Sequence, residues 1–220
     1  MFTALLPMKV HSERVKNKNF RLIAGKPLYK WMLDKLVMIE EIDRIIINTD
    51  ADPSIFKEYS EAGKIYVNPR PVRLCGDLVS MNEIIANDLE LNEGDEFFMT
   101  HTTNPLLSIS TILTAFDTYS TRDKSTHDSM YSVTRFQARF NFESNVPINH
   151  SPESLLRTQD LPPLFMENSC FFIFNRNQFE KNKSRVGDNP LMFETPQLES
   201  IDIDTEEDWY LAQLLLNESF

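Results

Sequence analysis

The 220-residue chain carries 41% hydrophobic and 25% charged residues with a formal net charge of −11, a balance that excludes a disordered segment and suits one large α/β domain. The acidity excludes a general nucleic-acid binder, which needs many clustered bases. No apolar run approaches the roughly 20 residues that span a bilayer, so membrane insertion is not expected. The start Met1-Phe2-Thr3 has no charged region ahead of its short apolar run, so no signal peptide is expected and the cytoplasm is the expected compartment. Cys75 and Cys170 stand far apart without metal-knuckle spacing and read as reduced thiols.

In chain order, an apolar run from Phe2 reads as a short buried strand, which Pro7 ends by removing a backbone donor. The polar loop behind it therefore starts at a strand's carboxyl end, where ligands of open α/β sheets gather. It holds Lys9, Arg14, Lys16 and Lys18 against a single acid, Glu13. In so acidic a chain this reversal suggests an anion site; the plainer reading is a solvated surface loop. Leu28, Trp31, Met32, Lys35, Leu36 and Ile39 recur at helical spacing, and Pro27 suits the helix start. Ile45-Ile46-Ile47-Asn48 is a run of the kind buried on both faces of a parallel sheet, completing a right-handed strand, helix, strand unit.

Lys64-Ile65-Tyr66-Val67 reads as a further strand leading into an extended loop at Asn68-Pro69-Arg70-Pro71. Asp77 and Ser80 precede a helical pattern over 83–89, where either would serve as a cap. A strand over 96–100 leads through His101-Thr102-Thr103-Asn104-Pro105 to a helix from about Ser108 to Tyr119. A lone histidine at a strand end is more often structural than catalytic, although its ordinary pKa lets it titrate near neutrality. Residues 130–134 begin another strand, 135–151 are rich in aromatics, Asn and Pro without periodicity, and 171–174 form a core strand. In Ile201-Asp202-Ile203-Asp204 a strand is expected, its alternation pointing Asp202 and Asp204 one way and both isoleucines into the core. Converging carboxylates suit Mg²⁺. Asp204 and Thr205 also have capping-box spacing for a last helix marked by Trp209, Ala212 and Leu216.

A strand ending in Pro7, then Ser12-x-Arg14, Lys18-Asn19 and Gly25-Lys26-Pro27-Leu28 before an apolar helix, resembles the amino-terminal signature of the sugar-acid cytidylyltransferases. These are the CMP-sialic acid synthetases and their relatives for pseudaminic, legionaminic and ketodeoxyoctonic acids. Arg70-Pro71, Leu74 and Gly76-Asp77 resemble the family's second motif. Thr103, Pro105 and Leu106 match its Gln-Pro-Thr-Ser-Pro-Leu segment, with His101 where Gln is common and Asn104 where Ser is common. Arg157-Thr158-Gln159-Asp160-Leu161-Pro162 resembles its Arg-x-Gln-x-Leu-Pro, and Asn168-Ser169 its Asn-Gly, with Ser169 in the glycine's place. Where relatives often carry Arg-Gly-Gly-Ser this chain has Lys9-Val10-His11-Ser12, which restricts how closely backbone amides approach phosphate.

The resemblance implies one Rossmann-like, three-layer α/β nucleotidyltransferase domain over 1–220, with a mainly parallel sheet and a projecting dimerisation arm at 135–156, working as a homodimer. The implied reaction transfers CMP from CTP to a hydroxyl of a sialic-acid-like or related 2-keto sugar acid, releasing pyrophosphate, for surface glycan synthesis. Lys9, Ser12, Arg14 and Lys18 fall to the triphosphate and Asn19 and Arg70 to the nucleoside, with Asp77 and Ser80 enclosing the nucleotide. His101, Thr103, Arg157, Gln159 and Asn168 face the sugar acid, Arg157 being the natural bidentate partner of its carboxylate. Asp202 and Asp204 hold Mg²⁺. Lys9, Arg14, Lys18 and Asp202 form the catalytic set, the base being either Asp202 or a hydroxide at the metal. Two alternatives stay open: a same-fold nucleotidyltransferase with another nucleotide or a phosphonate or polyol acceptor, and an inactive nucleotide-binding relative.

Overall fold

In the computed structural model, which describes residues 1–76 and 78–218, the apolar runs become strands buried from both sides. The elements are β1 (Phe2–Leu5), β2 (Leu22–Ile23), β3 (Lys26–Pro27), α1 (Leu28–Met38), β4 (Ile42–Thr49), β5 (Ile65–Pro69), α2 (Met81–Leu91), β6 (Glu96–Thr100) and α3 (Ile109–Thr121). They continue with β7 (Ser129–Phe136), β8 (Leu164–Asn175), α4 (Arg176–Asn182), β9 (Pro190–Glu194) and α5 (Glu206–Glu218). The main sheet has seven strands in the order β5-β4-β1-β6-β8-β7-β9. Its pairings are parallel except for those of β8 with β6 and β7.

Strand alternation builds three layers. Ala4, Leu6, Ile45, Ile47, Phe98, Phe171 and Ile173 pack with α1 and α3. Their neighbours Leu5, Ile46, Phe97, Met99, Phe172 and Phe174 pack with α2 and α4. All of these are fully buried, and burying each side chain larger than alanine stabilises by about 1.5–3 kcal/mol. The chain leaves β1 through α1 to β4 and β5 on one side, then returns to β6 on the other. The carboxyl end of β1 is thus a topological switch point, and the polar loop begins there. A third cluster, including Val15, Ile23, Leu28, Ile203, Trp209 and Ala212, pins that loop to α5 and the β2-β3 hairpin. The hairpin turn has positive φ at both Ala24 and Gly25, a backbone that glycine adopts without strain.

Several sequence expectations are corrected. Residues 201–204 lie in no strand; they form a loop laid on the end of β6, where the Ile203 N–H donates to the Thr103 carbonyl at 2.9 Å. Ile203 is buried while Ile201 is only partly so. Asn168 and Ser169 lie inside β8, and β5 continues to Pro69; proline is tolerated there because β5 is a sheet edge. Asp204 does not cap α5. Thr205 does, its Oγ1 accepting from the Asp208 N–H while Asp208 Oδ2 accepts from the N–H groups of Asp204 and Thr205. Elements β9 and α4 carry no pattern long enough to announce them. Among the described residues no helix is long and apolar enough to cross a membrane.

Candidate active site

The loop after β1 is held by its own polar side chains. Met8 extends the sheet by donating its N–H to the Asn48 carbonyl, and the Val10 N–H donates to Asp50 Oδ1. Asn17 takes a left-handed φ of 53°, turning the chain into a short 3₁₀ turn over Lys18–Phe20. Buried Asn19 locks the loop shut: its Nδ2 donates to the Lys9 carbonyl at 2.7 Å and its Oδ1 accepts from Thr102 Oγ1 at 2.5 Å. The backbone nest that glycines would make is replaced by side-chain bonds. The result is a cleft of about 370 Å³ at the switch point, lined among others by Lys9, Ser12, Arg14, Lys18, Asn19 and Arg70.

The 201–204 loop is tied to two of the cations that line the cleft. Lys18 Nζ donates to the Ile203 carbonyl at 2.6 Å and to Asp204 Oδ1 at 3.3 Å, and Arg14 Nη2 reaches the same oxygen at 2.9 Å. Asn104 Nδ2 donates to the Ile201 carbonyl. Asp202 is pushed above the usual carboxylate range, first by burial, against a hydrogen bond from Thr103 and the charge of Lys18. Its buried Oδ1 has no hydrogen-bond partner among the described residues.

Arg70 is aimed by residues that the sequence reading passed over. Its Nε donates to Asn48 Oδ1 at 2.7 Å and its Nη2 to the Asn48 and Met8 carbonyls. Asp88 Oδ1 accepts from both Asn48 Nδ2 and Asn68 Nδ2. Desolvation pushes buried Asp88 up to about 6 despite these bonds. The only signal in the sequence was a polar Asn48 ending an isoleucine run. His101, in the cleft beside Thr102 and Thr103, is pushed down to about 3 by burial and by the charges of Arg185 and Lys18. It is neutral near pH 7, which agrees with the structural reading of a lone histidine at a strand end.

Ser80, Arg157, Gln159 and Asn168 are not among the residues that line this cleft. Exposed Arg157 is paired bidentately with Asp160 at 2.7 and 3.0 Å, and Gln159 is exposed beside it. Asn168 is buried and donates to hydroxyls of Thr134, Thr195 and Ser200. Ser80 is the cap of α2, in a capping box with Glu83. Asp77 lies outside the described residues. No group of three or more His, Cys, Asp or Glu able to hold a metal occurs among the described residues.

A doubly wound sheet with a cation-lined cleft at its switch point defines an α/β domain of the nucleotidyltransferase fold. Residues 3–213 match the Cytidylyltransferase family, and the chain belongs to it. It is 24% identical over 209 residues to the N-acylneuraminate cytidylyltransferase of Streptococcus agalactiae, covering 93% of this chain and 51% of that protein. The chain thus spans about half the length of that relative. It is 26% identical over 230 residues to the CMP-N,N′-diacetyllegionaminic acid synthase of Legionella pneumophila, covering 97% of this chain and 95% of that protein. A structure of CMP:2-keto-3-deoxy-manno-octonic acid synthetase complexed with CTP superposes with a TM-score of 0.69 at 15% identity over all of both chains.

Proposed function

We propose that this chain transfers CMP from CTP to a hydroxyl of an acidic 2-keto sugar, releasing pyrophosphate. The observation that carries this reading is that Arg14 and Lys18, which line the cleft with Lys9, converge on Asp204 Oδ1. In such a transfer the acceptor oxygen bonds to the α-phosphorus as its hydroxyl proton passes to a base, for which Asp202 is the candidate, while the bond to the bridging oxygen of the β-phosphate breaks and pyrophosphate leaves. The work left to the protein is alignment and neutralisation of charge. Lys9, Ser12, Arg14 and Lys18 serve the phosphates; Asn19 and Arg70, held by the bonds described above, serve the nucleoside. His101 and Thr103 stand on the acceptor side.

Asp202 and Asp204 fit a Mg²⁺ site, because the partnerless buried oxygen of Asp202 is a hard donor and Mg²⁺ usually takes only one or two carboxylates beside water and phosphate. When bound, the metal supplies positive charge to the triphosphate oxygens. A homodimer is part of this reading, joined through 135–156, where Phe142, Val146, Ile148 and Leu155 are exposed in the single chain.

The test is pyrophosphate release with CTP, Mg²⁺ and separate nonulosonic and octulosonic acids, against ATP, UTP and GTP. Release with CTP and one acid is expected. Silence across the panel with CTP binding retained would overturn the sugar-acid reading. Asp204→Ala is expected to lower turnover by about two orders of magnitude while weakening CTP binding far less.

A further inference from the structure

Lys35 is a charge set in an apolar stripe. On α1 it shares its helical spacing with Leu28, Trp31, Met32 and Leu36, and it is not among the residues that line the cleft. An ammonium taken from water is costly to hold unless its donors are met. Here Nζ donates to the Pro105 carbonyl at 2.6 Å and to the Leu107 carbonyl at 2.7 Å. Burial pushes the group down to about 8, against the charge of Glu199, so it remains protonated near pH 7. Charged donors make the stronger hydrogen bonds, and both of these go to the turn that joins β6 to α3.

That turn carries the loop behind it. The Leu107 N–H donates to the Asn104 carbonyl, which closes the turn on itself. The Thr103 carbonyl accepts from the Ile203 N–H at 2.9 Å, and Asn104 Nδ2 donates to the Ile201 carbonyl at 3.3 Å. The Thr103 side chain donates to Asp202, and Glu199 Oε2 accepts from the Ser108 N–H at 2.8 Å. Ile203 in turn offers its carbonyl to Lys18 Nζ. A continuous set of bonds therefore runs from Lys35 through residues 103–108 to Asp202 and Lys18.

We propose that Lys35 is a positioning residue for the transfer: by pinning the turn over 103–108 it sets where Asp202 stands relative to the cations of the cleft. This deepens the cytidylyl-transfer reading above and rests on it. Arg70, assigned to the nucleoside, is held by Asn48 and Met8, bonds that do not pass through the turn. Loss of the ammonium should therefore be felt in turnover and not in CTP binding.

The test is Lys35→Met, which keeps an unbranched side chain and removes every donor. With CTP and the acid that the parent uses, kcat is expected to fall about 10- to 100-fold while CTP affinity, measured calorimetrically, stays within about twofold. Unchanged turnover, or CTP affinity falling as far as turnover, would overturn the proposal. The route through Asp202 is read by a double-mutant cycle under single-turnover conditions. In an Asp202→Asn background, adding Lys35→Met should cost no more than about twofold, because residues that act through one another are not additive. An equal fall in both backgrounds would mark a general structural loss and refute the assignment while leaving the transferase reading intact. Should Lys35→Met not fold, Lys35→Gln, whose amide keeps donors on a shorter stem, takes its place under the same criteria. A parent that binds CTP but releases no pyrophosphate with any acid would overturn the transfer reading and this proposal with it.

Discussion

His101 occupies the place where an acid or base would be sought, at the end of the central strand β6. Burial and two nearby cations hold it down at about 3, so the imidazole stays neutral from pH 5 to 8. His101→Gln is therefore expected to leave the shape of the kcat/KM pH profile unchanged over that range, whatever it does to the absolute rate. A limb near pH 6–7 that vanishes in the variant would assign it a proton-transfer role. Asp88 is the opposite case. Its folded pKa of about 6 lies above the ordinary value of 3.8, so the folded chain holds a proton that the unfolded chain has released between those pH values. Stability therefore falls as pH rises through that window and is flat above it. Two pKa units correspond to about 3 kcal/mol. Asp88→Asn removes this dependence, so relative to the variant the parent should lose about that much stability between pH 4 and 7, read by urea unfolding. Parallel curves for the two proteins would exclude Asp88 as the group responsible.

At the scale of elements, Ser80 separates a structural from a functional reading. Its hydroxyl accepts from the Asn82 N–H at 3.2 Å while Glu83 accepts from the Ser80 N–H at 2.9 Å, which completes a capping box at the head of α2. Ser80→Ala is expected to cost about 1 kcal/mol, a fall of roughly 2–4 °C in Tm for a chain of this size, with CTP affinity unchanged. A loss of CTP affinity greater than the loss of stability would restore Ser80 to the nucleotide site. The strands were legible because β1, β6 and the later halves of β4 and β8 are buried on both faces and so read as apolar runs. Asp202 and Asp204 read wrongly as strand because alternation over four residues cannot tell a ladder from a loop that meets its neighbour through one backbone bond, Ile203 to Thr103. The basic loop was legible by charge. Its locking by Asn19 and Thr102, and the Asn48-Asp88 support of Arg70, were not, since each joins residues tens of positions apart. Ser169 shows the limit of motif reading from the other side. It takes the φ of 57° that the family's glycine suits, so the backbone shape survives the substitution at a cost in strain.

Over the whole molecule, the segment 135–156 is built unlike the rest. It leaves β7 at Phe136 and is braced mainly by polar bonds: Asn149 donates to the carbonyls of Ala138 and Pro162, and Gln137 to those of Thr158 and Leu161. Its apolar side chains turn outward, with Phe142 58% and Leu155 89% exposed. An apolar patch with a hydrogen-bonded frame is stable in shape yet gains from being covered. If a second copy covers it, the parent should sediment as a dimer at micromolar concentration, and Phe142→Asp combined with Leu155→Asp should sediment as a folded monomer with an unchanged circular dichroism spectrum. The same variant decides whether the arm also serves the partner's cleft. Arg14, Lys18 and Arg70 are held by contacts within one chain, so CTP affinity should survive dissociation. Arg157 and Gln159 stand just beyond the arm and away from their own cleft. A monomer that binds CTP normally but shows a raised KM for the acid would place them at the neighbour's acceptor site; a monomer with both constants unchanged would leave the arm a purely structural joint.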